Sequence, residues 1–252
     1  MKKSIFITGA SSGIGRSLSL KFASEGWKVI ASARRLNLLK SLENEAAKKN
    51  LIKTVKIDIT NSKLVRTKIN SIVKNKGIPD IILLNAGTNN PNSNSIFSLE
   101  ETREIFETNF FGTLNCLSAF LPFLKKKKKS QVIIMSSVAG YRGLPYAAAY
   151  CSSKSAISTF AESIYNQCQK LGITVRLINP GFVKTPLTDK NKFDMPMIIP
   201  VEQASNIIYN KIVSSSKFEI NCPLLFCYLM KVLRILPYTI YFKLTNYLMK
   251  KL

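Results

Sequence analysis

Residues 4–15 read SIFITGASSGIG. The first five residues, Ser4 to Thr8, are the kind of β-branched and aliphatic run that forms a strand buried on both faces. Directly behind it, Gly9, Gly13 and Gly15 fall where the chain must turn from strand into helix. A turn so free of side chains lets a pyrophosphate approach the backbone and meet the positive end of the helix. The spacing is G-x-x-x-G-x-G, not the commoner G-x-G-x-x-G, and three glycines alone also suit a plain tight turn. Their place between a first strand and a first helix favours a nucleotide loop, with Ser11, Ser12 and Ile14 in it.

Working outward, KVIASA (28–33), TVKI (54–57), IILLN (81–85), QVIIMS (131–136) and TVRLIN (174–179) repeat the strand signal. Segments with helical periodicity separate them, at about 16–25, 37–49, 62–76, 99–118, 149–170 and 201–215. Strand alternating with helix predicts an α/β fold, a doubly wound parallel sheet covered by helices on both sides. At 252 residues and 46% hydrophobic content the chain suits one domain, 1–252, with 217–252 as an apolar and basic extension of an already complete six-stranded sheet.

Ligands of such sheets lie beyond the carboxyl ends of the strands. The second strand ends in ASARRLN (31–37), and no Asp or Glu occurs between Glu25 and Glu43. An acidic residue there would suit the ribose 2′-hydroxyl of NAD, whereas arginine suits a 2′-phosphate. Arg34, together with Arg35, therefore points to NADP(H).

The chain contains no histidine, the commonest proton carrier near neutral pH. It does contain AAAYCSSKSA (147–156), in which Tyr150 and Lys154 lie one helical turn apart. In isolation the two would read as an ordinary exposed helical pair.

Taken with TGASSGIG, DIT (58–60), NAG (85–87), Asn109 in TNFFG, SSVAG (136–140), YCSSK (150–154) and PGFVKT (180–185), in this order, the chain resembles the short-chain dehydrogenase/reductase family over residues 4 to about 215. The resemblance implies a Rossmann fold and an oxidoreductase acting on a carbonyl or an alcohol. It implies that Ser137, Tyr150, Lys154 and Asn109 are the catalytic residues, with Tyr150 and Lys154 also touching the cofactor. Asp58 and Ile59 match adenine contacts, and Asn85, Ala86 and Gly87 line the cofactor channel. Pro180, Gly181, Val183 and Thr185 match the loop at the nicotinamide end. Asn109 is expected to hold a water between Lys154 and solvent.

Bringing a tyrosine from a pKa of about 10 to roughly 8 needs about 2.7 kcal/mol. One ammonium at ~4 Å supplies about 4 kcal/mol at an effective dielectric of ~20. Lys154 is thus expected to let Tyr150 serve as the acid and base that histidine provides elsewhere.

The net charge of +23 is spread along the chain and does not point to nucleic acid as a partner. The run 125–129 reads as a solvated helix end or loop. Five cysteines without C-x-x-C spacing, and no histidine, exclude a His-based zinc site, so no metal is expected, and they favour a reducing compartment. The start lacks a secretory apolar run, and we expect a cytoplasmic protein. In the tail, Lys231, Arg234, Pro237 and Lys243 break any spanning run, while Lys243, Asn246 and Lys250 alternate with Ile240, Leu244, Tyr247 and Leu248 at helical spacing. This suggests peripheral contact with the inner face of a membrane, or else a subunit-interface or substrate-cover helix. A homo-oligomer and an apolar small-molecule substrate are expected. The functional alternatives are a reductase of 3-oxoacyl groups on an acyl carrier protein and a non-catalytic cofactor-binding sensor.

Overall fold

The computed structural model describes residues 3–48, 50–90, 96–127, 129–191 and 194–249, with side chains as far as 247. Seven parallel strands form one sheet in the order β3-β2-β1-β4-β5-β6-β7. They are β1 (Ser4–Thr8), β2 (Lys28–Ala33), β3 (Ile52–Lys56), β4 (Ile81–Leu84), β5 (Ser130–Met135), β6 (Ile173–Pro180) and β7 (Glu219–Cys222). The order reverses between β1 and β4, which opens a crevice at their carboxyl ends.

The pleat sorts the central strands into two cores. Ile5, Ile7, Ile81, Leu83, Ile133 and Met135 face α1 (Gly13–Ser24), α2 (Leu36–Glu45) and α7 (Val201–Ser214). Phe6, Ile82, Leu84, Val132 and Ile134 face α3 (Ser62–Lys76), α5 (Gly112–Leu124) and α6 (Ala148–Lys170). Edge-to-face rings close both layers, Phe22 against Trp27 and Tyr209 on the first and Phe6 against Phe120 on the second. Both sides of the sheet are covered, so the central strands β1, β4 and β5 read as near-continuous aliphatic runs.

The expected helix at 99–118 is longer and interrupted. α4 (Leu99–Phe106) runs through a π-helical turn, Glu107–Phe111, into α5. Asn109 lies on that turn, which re-aims its side chain inward, and periodicity alone gives no sign of such a bulge. The run 125–129 is not all solvated: Lys127 pairs with Asp80 at 2.7 Å, and Asp80 also accepts from the Ser4 backbone N–H at 2.7 Å. Lys128 lies outside the described residues.

The largest correction concerns the tail. The sheet is not complete after six strands, because Glu219–Cys222 pairs with Leu177–Pro180 as a seventh. Ile220 and Cys222 enter the core while Glu219 and Asn221 face the other way, an alternation hidden by the brevity of the strand and its two polar residues. Beyond it lie α8 (Leu224–Ile235) and α9 (Tyr238–Met249). α9 does not sort as expected: Tyr241 is its buried residue, whereas Ile240 and Tyr247 are exposed, and the side chains of Leu248 and Lys250 lie outside the described residues. No helix among the described residues is long and apolar enough to cross a membrane. All five cysteines are buried and free.

Candidate active site

The crevice becomes one cleft along the carboxyl ends of β1, β2, β4, β5 and β6. At its first strand, Gly9 has φ +68 and Gly13 φ +55, backbone that side-chain-bearing residues rarely adopt. A Cβ on Gly9 would lie 2.7 Å from Ala86 Cα. Gly15 does not line the cleft; it packs inside the turn, where a Cβ would meet Asn85 Nδ2 at 2.4 Å and Gly9 O at 2.5 Å. Asn85 holds this arrangement from the neighbouring strand, its Nδ2 donating to Thr8 O at 2.9 Å. Thr8 Oγ1 in turn accepts from the backbone of Asn85 and Ala86. The bare glycine cradle at the first turn of α1 fits the pyrophosphate of a dinucleotide.

At the β2 end, Arg35 rather than Arg34 is the anchored cation. Its guanidinium donates to Ser11 Oγ at 2.9 Å and Ser12 Oγ at 2.8 Å, so it rests on the glycine loop, with Arg34 exposed beside it. Ser11, Ser12 and Ile14 line the cleft as expected. Asp58 and Ile59 also face it, one Asp58 oxygen being engaged by the Thr60 backbone N–H at 3.0 Å and hydroxyl at 2.8 Å. Thr60, the last residue of DIT, also lines the cleft, as do Thr88 and Met135, which neighbour the motifs and carry no pattern of their own.

At the other end, Ser137, Tyr150, Lys154, Pro180, Gly181, Val183 and Thr185 share the wall. Ser137 follows β5, and its Oγ accepts from the Ala139 backbone N–H at 3.2 Å. Tyr150 and Lys154 occupy the first turns of α6, held close to β5 because Gly140 leaves room for Lys154 O, 2.8 Å from where a Cβ would stand. Lys154 Nζ donates to Met135 O at 3.0 Å and lies 5.7 Å from the centre of the Tyr150 ring.

Asn109 sits behind this wall, 1% exposed. Its side chain accepts from Thr88 N at 2.7 Å and donates to Thr88 O and Ser153 Oγ, both at 3.0 Å. Asn109 Oδ1 and Lys154 Nζ both approach Gly87, at 3.3 and 3.4 Å from the position of a Cβ. The missing side chain at Gly87 is what lets the two groups meet the cleft wall.

The electrostatics depart from the expected order. Burial lowers Lys154 from 10.5 to about 8, and desolvation is its only resolved cause among the described residues. Burial also raises Tyr150 to about 12, and the hydrogen bond with Ser137 only moderates this. Desolvation therefore sets Tyr150 in the protein alone, and the ammonium 5.7 Å from its ring centre does not bring it below its ordinary value, contrary to the simple pair argument. Burial pushes Glu219 up, but hydrogen bonds from Lys231 and Tyr141 outweigh it and hold the carboxyl below its usual range.

Among the described residues, no group of His, Cys, Asp and Glu could hold a metal ion. The chain matches the short chain dehydrogenase family model over residues 3–195. It belongs to the short-chain dehydrogenase family. The chain is 34% identical over 236 residues to an uncharacterized oxidoreductase of Myxococcus xanthus, covering 93% of each chain. It is 34% identical over 186 residues to an NADPH-dependent pterin aldehyde reductase of Arabidopsis thaliana, covering 73% of this chain and 76% of the relative. A short-chain dehydrogenase from Streptomyces avermitilis has the same fold, with a TM-score of 0.81 over 100% of this chain and 98% of the other at 19% identity. Enzymes of this family use nicotinamide cofactors, and the cleft of this chain has the residues to hold one.

Proposed function

We propose that the protein is an NADP(H)-dependent oxidoreductase that interconverts a carbonyl and an alcohol on an apolar substrate. The observation that carries this reading is the convergence of Ser137, Tyr150 and the buried Lys154 on one wall of the glycine-loop cleft. When bound, the cofactor supplies or accepts the hydride at the substrate carbon. Ser137 Oγ donates to the carbonyl oxygen and orients it. Tyr150 gives its phenolic proton to that oxygen as the oxygen gains charge, and recovers a proton from solvent afterwards. Lys154 is fixed by Met135 O and stabilises the phenolate that remains. Asn109, tied to Thr88 and Ser153, keeps the floor beneath Lys154 in place. The oxidation of an alcohol runs through the same steps reversed.

Arg35, pinned over the glycine loop, with Arg34 beside it and no carboxylate at the end of β2, supports the 2′-phosphate form of the cofactor. The Arabidopsis relative named for NADPH is consistent with this. An apolar substrate is supported by the apolar cluster behind Ser137 and Gly181, where Val138, Phe226, Cys227 and Met230 form a small core with Tyr141, Leu144 and Phe182 packed against it and Phe226 lies against the cleft residue Gly181.

The test is NADPH oxidation against aldehydes and ketones of graded chain length. Tyr150→Phe should lose turnover by about a thousandfold or more, by analogy with the loss of a general acid, and keep NADPH affinity within about threefold. Wild-type turnover retained in the variant would overturn the assignment.

A further inference from the structure

We infer that α8 and the start of α9 form a docking face for an anionic lipid surface. Apart from Lys231 and Arg234, every residue of α8 is apolar or aromatic. Phe226, Cys227 and Met230 pack inward over the active-site end of the protein. The opposite arc, made of Leu224, Leu225, Tyr228, Leu229, Val232 and Ile235, is exposed, from 48% at Leu224 to 79% at Ile235, and includes no polar residue. At 100° per residue these six fill one continuous sector of the helix. The stacked rings of Tyr238 and Phe242, 73% and 56% exposed, follow α8 at the start of α9. A contiguous exposed apolar patch of this kind marks a surface that meets another apolar phase.

Charge decides which phase. From residue 220 to residue 252 the chain has no Asp or Glu, and Arg234 and Lys243 are exposed among the apolar residues. A second copy seated on this face would bring like charges together, whereas phosphate headgroups oppose them. The flanking cations and aromatic rings are the composition of a helix lying in the headgroup plane, apolar arc down. No helix among the described residues can cross, so the face lies on the surface. The face is held rigidly to the body. Arg142 Nη1 donates to Leu233 O at 2.7 Å, Arg234 O at 3.0 Å and Leu236 O at 2.7 Å, and its guanidinium lies 4.0 Å from the Tyr241 ring centre. Docking does not depend on the proposed reaction, and its test does not use activity.

The experiment is sedimentation of the full chain with phosphatidylglycerol or phosphatidylcholine vesicles at low and high salt. Leu225→Glu/Val232→Glu serves as the variant, with circular dichroism and melting as fold controls and analytical ultracentrifugation without lipid. Expected are binding to phosphatidylglycerol, weaker by at least about tenfold at high salt, and loss of that binding in a folded variant. Absence of binding at low salt overturns the inference, as does binding that the variant retains or that phosphatidylcholine matches. A lipid-free dimer that the variant dissociates, with no vesicle binding by the full chain, assigns the face to a second copy instead. If the double variant does not fold, Tyr228→Glu alone replaces it, with the same outcomes decisive.

Discussion

At the glycine end of the cleft, the groups that shape the wall come from short stretches: Gly9, Ser11, Ser12 and Gly13 within one turn, and Asn85 to Gly87 on the next strand. At the tail, outside the cleft, the packing is made over long distances in sequence, Arg142 reaching carbonyls 91, 92 and 94 positions away and Tyr141 reaching Glu219 at a separation of 78. The first region is fixed by backbone geometry and tolerates almost no change of side chain. The second is fixed by side chains that span elements, and so can vary in detail while the first stays as it is. A nucleotide common to many enzymes and a substrate particular to one would be served by such a division.

Lys154 gives the strongest way to break this comparison, because its buried charge belongs to the shared machinery. With a pKa near 8 it is charged below that pH and neutral above it. Reductive kcat/KM should fall about tenfold for each pH unit above roughly 8, close to a hundredfold by pH 10. Stability should move the other way. The folded pKa lies below the unfolded value of 10.5, so the unfolded chain binds more protons between about 8 and 10.5, and this group's penalty is relieved as pH rises through that window. A rate profile flat to pH 10 would remove Lys154 from the titrating machinery.

Arg35 comes next. Its contact with a 2′-phosphate is charge-assisted, and Arg35→Ala should weaken NADPH by about ten- to a hundredfold and leave NADH within about twofold. Arg34→Ala, lacking the serine anchors, should have the smaller effect. Fluorescence titration with both cofactors decides, and equal losses for NADPH and NADH would mean that Arg35 shapes the loop instead.

The smallest effect is expected at the tail. Arg142→Met removes a cation that caps the end of α8 and stacks on Tyr241 and Tyr238. Amide exchange in α8 and α9 should rise about tenfold, as expected for losing roughly 1–2 kcal/mol of local stability. Exchange in residues 9–15 should not change. A uniform rise across both regions would show that the two ends are not separable.

The same division explains what could be read in the sequence. The glycine turn is a local pattern whose chemistry follows from its place between strand and helix, and the pair Tyr150 and Lys154 and the segment Asn85–Gly87 are local patterns whose roles come from the family resemblance. β7 escaped notice because Glu219 and Asn221 break its apolar run, and their partners Tyr141 and Lys231 come from other elements. The inward turn of Asn109 depends on one extra residue in a helical turn, which leaves periodicity nearly unaltered. The order of the Tyr150 and Lys154 shifts depends on burial, and burial is a property of the assembled fold.

The five cysteines have a practical consequence. Each is buried, and burial alone drives Cys116 to about 12; it also raises Cys222 to about 12 and Cys227 to about 11. Thiols held in that state are poor targets for maleimide, and a chain without histidine offers no imidazole to compete for a reagent. One new cysteine at Tyr228, on the exposed arc of α8, would therefore take a fluorophore selectively without stripping the native thiols. The dye would report from that helix alone.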